Sequence, residues 1–229
     1  MRIYELPRRL VAECLGTGLL VATVVGSGVM ADGLSSDDGI ALLGNTIPTG
    51  AILVVLITVF GPISGAHFNP AVTFVFWLKK MLGVREALAY VAVQVLGGLV
   101  GTFIAHIMFD LSVVQASETV RTGGGQWVAE IVATFGLVAT ILGGIHSRES
   151  AVPWLVGLYI TAAYWFTAST SFANPAVAVA RGFTNTFSGI RPIDLPGFIG
   201  SELVGAVLAL WLMSWLLGVA STAHEQTTS

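Results

Sequence analysis

The sequence predicts an all-α membrane protein: six transmembrane helices and two shorter re-entrant half-helices, arranged as an inverted repeat in one domain over residues 1–229. Three observations carry this prediction: the composition, the lengths of the apolar stretches and an internal repeat. Hydrophobic residues make up 55% of the 229 residues, charged residues 10%, and the mean hydropathy is +0.84. An ordinary globular domain carries about 25% charged residues, so lipid must surround much of this chain.

Six apolar stretches are long enough to cross a bilayer. A bilayer core about 30 Å thick needs roughly 20 helical residues. The predicted spans are about 8–31, 39–61, 86–109, 127–145, 154–171 and 196–218.

Two further apolar stretches, about 66–79 and 173–183, are too short to span. Segments of this length are expected to be re-entrant. Near the start of each stands the same tripeptide, Asn69-Pro70-Ala71 in the first and Asn174-Pro175-Ala176 in the second.

The two halves of the chain repeat each other. AECLGTGLLVAT at 12–23 aligns without gaps with AEIVATFGLVAT at 129–140, which pairs Glu13 with Glu130. QVLGG from Gln94 likewise resembles ELVGA from Glu202. Each half, about 1–115 and 126–220, holds three spans and one re-entrant segment, and residues 219–229 are expected to be a disordered tail. Because three is odd, the halves must cross the membrane in opposite directions.

Basic residues predict the orientation. Those before the first span, between the first re-entrant segment and the third span, and between the fourth and fifth spans all fall on one side; they are Arg2, Arg8, Arg9, Lys79, Lys80, Arg85 and Arg148. The positive-inside rule makes this side cytoplasmic. We therefore expect a multi-pass membrane protein with both termini in the cytoplasm.

The paired tripeptides predict a pore. Asparagine is a preferred helix N-cap and proline fits the first helical position, so Asn69 and Asn174 should each begin a half-helix. Entering from opposite faces, the two N-termini would meet near the midplane, each with about half a positive charge. They would repel cations, while the free amide NH2 groups donate to neutral hydroxylated solutes.

The motifs SGAHFNPAVT at 64–73 and SFANPAV at 171–177, with the paired glutamates and three-plus-three spans, resemble the major intrinsic protein family of aquaporins and aquaglyceroporins. The resemblance implies a right-handed bundle, a homotetramer with one pore per subunit, and passive solute flow. It also implies that Glu13 and Glu130 brace the re-entrant loops, whereas a buried acid by itself also permits a proton relay. His67 is expected to line the pore or brace its loop, in preference to binding a metal.

Family members select solutes at a ring of four residues outside the central asparagines. Counting from the two tripeptides places Thr49, Ala162, Ser171 and Val177 there. All four are small and uncharged, and Val177 stands where the family has an arginine, so a wide ring without its fixed cation is expected. Arg181 lies one helical turn after Val177 and either reaches back towards the ring from the outer vestibule or braces a loop or lipid headgroup.

The segments GPISGAHFNPAVT and AAYWFTASTSFANPAV, with Thr49 and Val177, further resemble a bacterial aquaglyceroporin subgroup of the AqpS type that is associated with arsenic-resistance operons. The resemblance implies a place in a bacterial inner membrane and passage of water, glycerol, trihydroxyarsenic and methylated arsenic oxo-acids. An ordinary water or glycerol channel with an atypical ring is an alternative.

Other functional classes fit less well. A proton-coupled secondary transporter would share the inverted repeat and the intramembrane acids Glu13, Glu130 and Glu202, but the paired tripeptides favour a static pore. The sequence offers no nucleophile–base pair or metal-ligand cluster for an enzyme, and no cofactor or metal is expected. A net charge of -3 without a basic stripe argues against a nucleic-acid partner.

Overall fold

The computed structural model describes residues 4–218, so the predicted disordered tail at 219–229 lies outside the described residues. Within that range the chain folds into α-helices joined by turns and loops. They are α1 (Leu6–Leu34), α2 (Asp38–Ser64), α3 (Pro70–Leu78), α4 (Val84–Met108), α5 (Gly124–Arg148), α6 (Val152–Phe166), α7 (Pro175–Arg181) and α8 (Leu195–Leu216), with 3-10 turns at Glu149–Ala151 and Pro192–Asp194.

Six of these helices cross the membrane. α1, α2, α4 and α8 are each long and apolar enough alone, and α5 runs through the turn at 149–151 into α6 as one 43-residue apolar stretch. A straight helix of that length would measure about 65 Å, twice the bilayer core. Since α5 packs against α6, the chain reverses at the turn and crosses twice.

The fifth span ends earlier than the sequence suggested. α6 stops at Phe166, and Thr167 is extended with φ -108° and ψ 135°. The serines and threonines of 167–171 compete with the helix for backbone hydrogen bonds. The predicted end at residue 171 was therefore wrong, and an irregular loop from 167 to 174 leads into α7.

The helix contacts repeat the internal symmetry of the sequence. α1 packs on α2 and α4, and α5 packs on α6 and α8 in the same way. The halves meet where α2 contacts α6 and where α3 contacts α7, each helix against its own counterpart. α3 also contacts α8, as α7 contacts α4. The two half-helices therefore meet end to end, surrounded by the six spans.

Small residues allow the closest helix contacts. A Cβ atom added at Gly97 would lie 2.2 Å from the carbonyl oxygen of Cys14, and one at Gly101 would lie 2.2 Å from that of Gly18. Glycine is required at both positions because any side chain would overlap the backbone of α1. The second half uses Gly205 in the same way, where an added Cβ atom would lie 2.4 Å from the carbonyl oxygen of Ile131.

Candidate pore and constriction

The two asparagines cap the half-helices. Asn69 Oδ1 accepts the backbone N–H of Ala71 at 2.8 Å. Asn174 Oδ1 accepts those of Ala176 and Val177 at 3.0 and 3.3 Å. A proline follows each cap at the first helical position, where its missing N–H leaves no bond unmade.

The same asparagines join the two halves. Asn69 Nδ2 donates to the carbonyl oxygen of Ala173 at 2.6 Å, and Asn174 Nδ2 donates to that of Phe68 at 2.8 Å. The half-helix N-termini therefore meet. The expectation that both NH2 groups are free needs correction, because the opposite loop takes one N–H of each, and one N–H of each is left for a solute.

The loops before α3 and α7 have the same unusual backbone. Ala66 and Phe68 have φ of 49° and 48°, and Ser171 and Ala173, each 105 positions later, have φ of 50° and 47°. A left-handed conformation is unfavourable for residues with a Cβ atom, so other contacts must hold these loops.

The paired glutamates supply those contacts. Glu13 accepts the N–H groups of His67 and Phe68 at 2.9 and 2.7 Å. Glu130 accepts those of the two corresponding residues of the second loop, also at 2.9 and 2.7 Å. Both carboxyl groups are fully buried, and neither lies among the residues that line the lumen. A role in bracing fits this geometry better than a proton relay.

His67 lies between its loop and the lumen. Its Nδ1 atom is 3.1 Å from Thr73 Oγ1, and its ring packs on those of Phe76 and Tyr90, with centroids 4.6 and 5.5 Å away. The ring also contributes to the lumen wall. His67 therefore both lines the lumen and contacts its loop, which are the two positions that the sequence left open.

A cavity of about 750 Å³ runs past both asparagines. It extends from the α5–α6 turn, at Glu149 and Ser150, to Arg181 at the end of α7. Most of its wall is apolar, with leucine, isoleucine and valine side chains from α1, α2, α5 and α6. A continuous lumen therefore lies beside the junction of the half-helices.

Three of the four predicted ring residues line this lumen: Thr49, Ser171 and Val177. Ala162 does not, because it is exposed on the outer side of α6. Tyr164 lines the lumen from α6 instead, and its Oη atom lies 3.5 Å from Thr49 Oγ1. The count back from Asn174 failed because it passed through the irregular segment 167–174. The number of residues in such a segment does not give its length along the pore.

Sequence counting missed Tyr164, although a phenol in an otherwise apolar span was a usable signal. Ile160 and Tyr164, four residues apart on one helical face, both line the lumen. Tyr164 is bulky, so the ring is less open than four small residues would make it.

Two buried polar atoms at this level have no hydrogen-bond partner among the described residues. They are the hydroxyl oxygen of Ser171 and Nη1 of Arg181. A buried polar group without a partner is costly and rare. Both residues line the lumen, but the two atoms themselves are turned away from it, so a small rotation of either side chain would present the free atom to a solute there.

Arg181 is fully enclosed. Its Nε donates to the carbonyl oxygen of Ser188, and the guanidinium carbon lies 3.5 Å from the ring centroid of Phe172. At 2% exposure it does not reach lipid headgroups. The cation thus lies beside the ring, one turn along α7 from Val177.

A second arginine, Arg121, also lies over the ring of Phe172. The Arg121 guanidinium is 5.2 Å from the Phe172 ring centroid, and Nε donates to the carbonyl oxygen of Gly189 at 2.9 Å. Burial lowers the pKa of Arg121 from its ordinary value. The outer end of the lumen therefore has two arginines nearby, of which Arg181 contacts the cavity.

Six crossings, two half-helices capped head to head and a lumen beside them define a membrane pore protein. The profile of the family "Major intrinsic protein" matches residues 1–152. The chain belongs to the major intrinsic protein family, a family of transport proteins, and is a membrane channel for small solutes.

Known proteins similar to this chain agree with that assignment. "Aquaglyceroporin AqpS" of Rhizobium meliloti (strain 1021) is 66% identical over 228 residues, covering 100% of this chain and 98% of the relative. "Aquaporin NIP1-1" of Zea mays is 29% identical over 233 residues, covering 97% and 79%. The X-ray structure of the aquaglyceroporin from Plasmodium falciparum matches with a TM-score of 0.72 at 21% identity, over 94% of this chain and 100% of that one. At that identity the match shows a common fold.

Proposed function

We propose that this channel passes glycerol-like polyols and hydroxylated metalloids, including trihydroxyarsenic and methylated arsenic oxo-acids. The observation that carries the proposal is the pair of unbonded polar atoms at the ring, Ser171 Oγ and Arg181 Nη1. Once these side chains rotate towards the lumen, a solute with several hydroxyl groups can bond to both, and each bond offsets part of the cost of leaving water.

The position of the cation favours this solute class. With Val177 in place of an arginine, no guanidinium stands at that position of the ring. Arg181 supplies one from the side, held by Ser188 and Phe172. An unbonded N–H on a cation is a strong donor to oxyanions and acidic hydroxyl groups. Arg181 therefore gives small acids a hydrogen-bond donor at the ring without narrowing the lumen.

Glycerol selectivity is also supported by the resemblance to relatives named as aquaglyceroporins. A narrower channel for water and glycerol alone is the second candidate, and the bulk of Tyr164 at the ring favours it. Transporter chemistry is disfavoured, since Glu13, Glu130 and Glu202 lie outside the lumen lining.

We further propose a homotetramer in a bacterial inner membrane with both termini cytoplasmic. Lys79, Lys80, Arg85, Arg148 and Arg8 are exposed on the proposed cytoplasmic side. The basic residues of the opposite side are all partly or fully buried; they are Arg121, Arg181 and Arg191. The exposed charge is therefore more one-sided than a count of the sequence gives.

Flux into proteoliposomes tests the solute class. Water, glycerol, trihydroxyarsenic and monomethylarsonate are compared in the parent channel, in Val177→Arg and in vesicles without protein. We expect all four to pass the parent, and Val177→Arg to slow the two arsenicals more than water, because it narrows the ring. Arsenical uptake equal to that of protein-free vesicles, with water and glycerol flux intact, would favour the second candidate.

A further inference from the structure

The second half of the channel contains two buried acids in place of one. Glu130 and Glu202 are both completely buried. Glu130 accepts the N–H groups of Phe172 and Ala173, and Glu202 Oε1 accepts that of Asn174 at 2.9 Å. Three consecutive amides leading into α7 thus end on two carboxyl groups. The two acids therefore hold neighbouring residues of one loop, Glu130 binding Ala173 and Glu202 binding Asn174.

The first half shows what surrounds a single brace. Glu13 Oε1 accepts the hydroxyl of Ser64 at 2.6 Å and the N–H of His67 at 2.9 Å. Its Oε2 accepts the N–H of Phe68 at 2.7 Å and the side-chain amide of Gln94 at 2.8 Å. All four neighbours donate, so one carboxylate is fully satisfied.

The repeat places the same set of partners around Glu130. Ser169 stands five residues before Asn174, as Ser64 stands five before Asn69, so the repeat assigns it the place of Ser64 beside the acid. With the two loop amides this makes three donors. The fourth place, which Gln94 fills in the first half, belongs to Glu202, since the segments QVLGG and ELVGA correspond.

A carboxylate accepts hydrogen bonds and cannot donate one, whereas a protonated carboxyl group has one O–H to donate. Glu202 Oε2 receives no donor from any described residue. Two carboxylates in contact would place like charges together at a site closed to water. A proton on Glu202 Oε2, directed at Glu130, removes the repulsion and satisfies the orphaned oxygen.

We propose that Glu202 is a neutral carboxylic acid that takes the place of glutamine: it donates its O–H to Glu130 and positions Asn174 through its other oxygen. It is a positioning residue, because Asn174 in turn caps α7 and donates to the carbonyl oxygen of Phe68 across the junction.

The surrounding charges suit a single carboxylate. Arg181 on α7 interacts electrostatically with both acids, Arg121 in the loop before α5 interacts with Glu130, and so does Tyr159 on α6. In the described chain no ion pair joins either arginine to either glutamate. One carboxylate against two guanidinium groups leaves one net positive charge at the outer end of the lumen. Ionised Glu202 would cancel it and so weaken the exclusion of cations.

The test is infrared difference spectroscopy of the purified, reconstituted channel, with Glu202→Gln as the variant and Glu118→Gln, at an exposed acid outside the lumen lining, as the control. We expect the parent and the control to show the C=O stretch of a buried protonated carboxyl group, shifted in deuterated water, and Glu202→Gln to lack it. Glu202→Gln should also fold and conduct water within about twofold of the parent, since glutamine supplies the same donor and acceptor. Glu202→Leu, which supplies neither, should lose most of its water flux.

Three results would each overturn the proposal. They are a parent without the protonated-carboxyl band, a band that persists in Glu202→Gln, and a Glu202→Gln variant that does not fold. The spectroscopic result does not depend on which solutes pass, so it stands or fails separately from the proposed solute class.

Discussion

Replacing Arg181 with methionine should slow hydroxylated solutes far more than water. Methionine has a volume close to that of arginine but lacks the guanidinium group, and with it the free Nη1 donor beside the ring. A hydrogen bond to a charged group contributes about 1.5–3 kcal/mol, which corresponds to about 10- to 150-fold in rate. Other lumen partners and water replace part of that contribution, so we expect about a tenfold loss for trihydroxyarsenic and monomethylarsonate.

The variant should fold, because Arg181 forms no ion pair among the described residues and methionine conserves most of its volume. Size-exclusion chromatography and water flux, by stopped-flow light scattering, would check this. Water flux should change by less than about threefold, since each water molecule keeps hydrogen bonds to neighbouring water molecules in the lumen. Arg181→Lys keeps the charge but loses the planar fork, and should lie between the parent and Arg181→Met.

Arg191→Met is the matched control. Arg191 is bonded to Asp194 at 3.0 Å, its side chain is 40% exposed, and it does not line the lumen. Its removal should leave every flux unchanged. If Arg181→Met carried the arsenicals at the parent rate while folding normally, Arg181 would have no part in selection, and the solute class would rest on ring width alone.

Three further changes test other parts of the channel. Glu13→Ala leaves buried loop donors unsatisfied and should destabilise the fold by about 3–5 kcal/mol, seen as a lower unfolding temperature in detergent; an unchanged temperature would mean that the loop does not depend on the brace. Gly101→Ala should destabilise the fold by about 1–3 kcal/mol or more, because its Cβ atom would meet the backbone of α1. Gly200→Ala, with open space around its Cβ atom, should be neutral or slightly stabilising. Equal effects of the two substitutions would contradict the close approach of α4 to α1. Tyr164→Ala should admit longer polyols in osmotic swelling assays, and an unchanged size limit would place the constriction elsewhere.

The sequence predicted the architecture because the relevant signals are local or repeated. Span lengths, the caps at Asn69 and Asn174 and the alignment of the halves depend on composition and short motifs. The i, i+4 argument that brought Arg181 next to Val177 also needed nothing outside one helix. Within a regular helix, the spacing of two residues in the sequence gives their distance, because the rise per residue is constant.

Counting failed where the chain is irregular. The end of α6 at Phe166, and with it the exchange of Ala162 for Tyr164 at the lumen, depends on how the segment 167–174 is held by Glu130. The bonds from Asn69 and Asn174 across the junction link residues more than 100 positions apart. No local pattern reports such contacts, since only the assembled halves bring them together.

The two loops also show how a repeat can become selective. Their backbones match, with the same left-handed residues and a glutamate behind each, because α3 and α7 must meet at one point. Their side chains differ at paired positions: Ala66 corresponds to Ser171, and His67 to Phe172. The brace fixes the backbone whatever those side chains are, so they can change without moving the asparagines. Since the loops enter from opposite faces, divergence between them makes the two ends of the lumen chemically different, and the serine hydroxyl and Arg181 give the outer end its free donors.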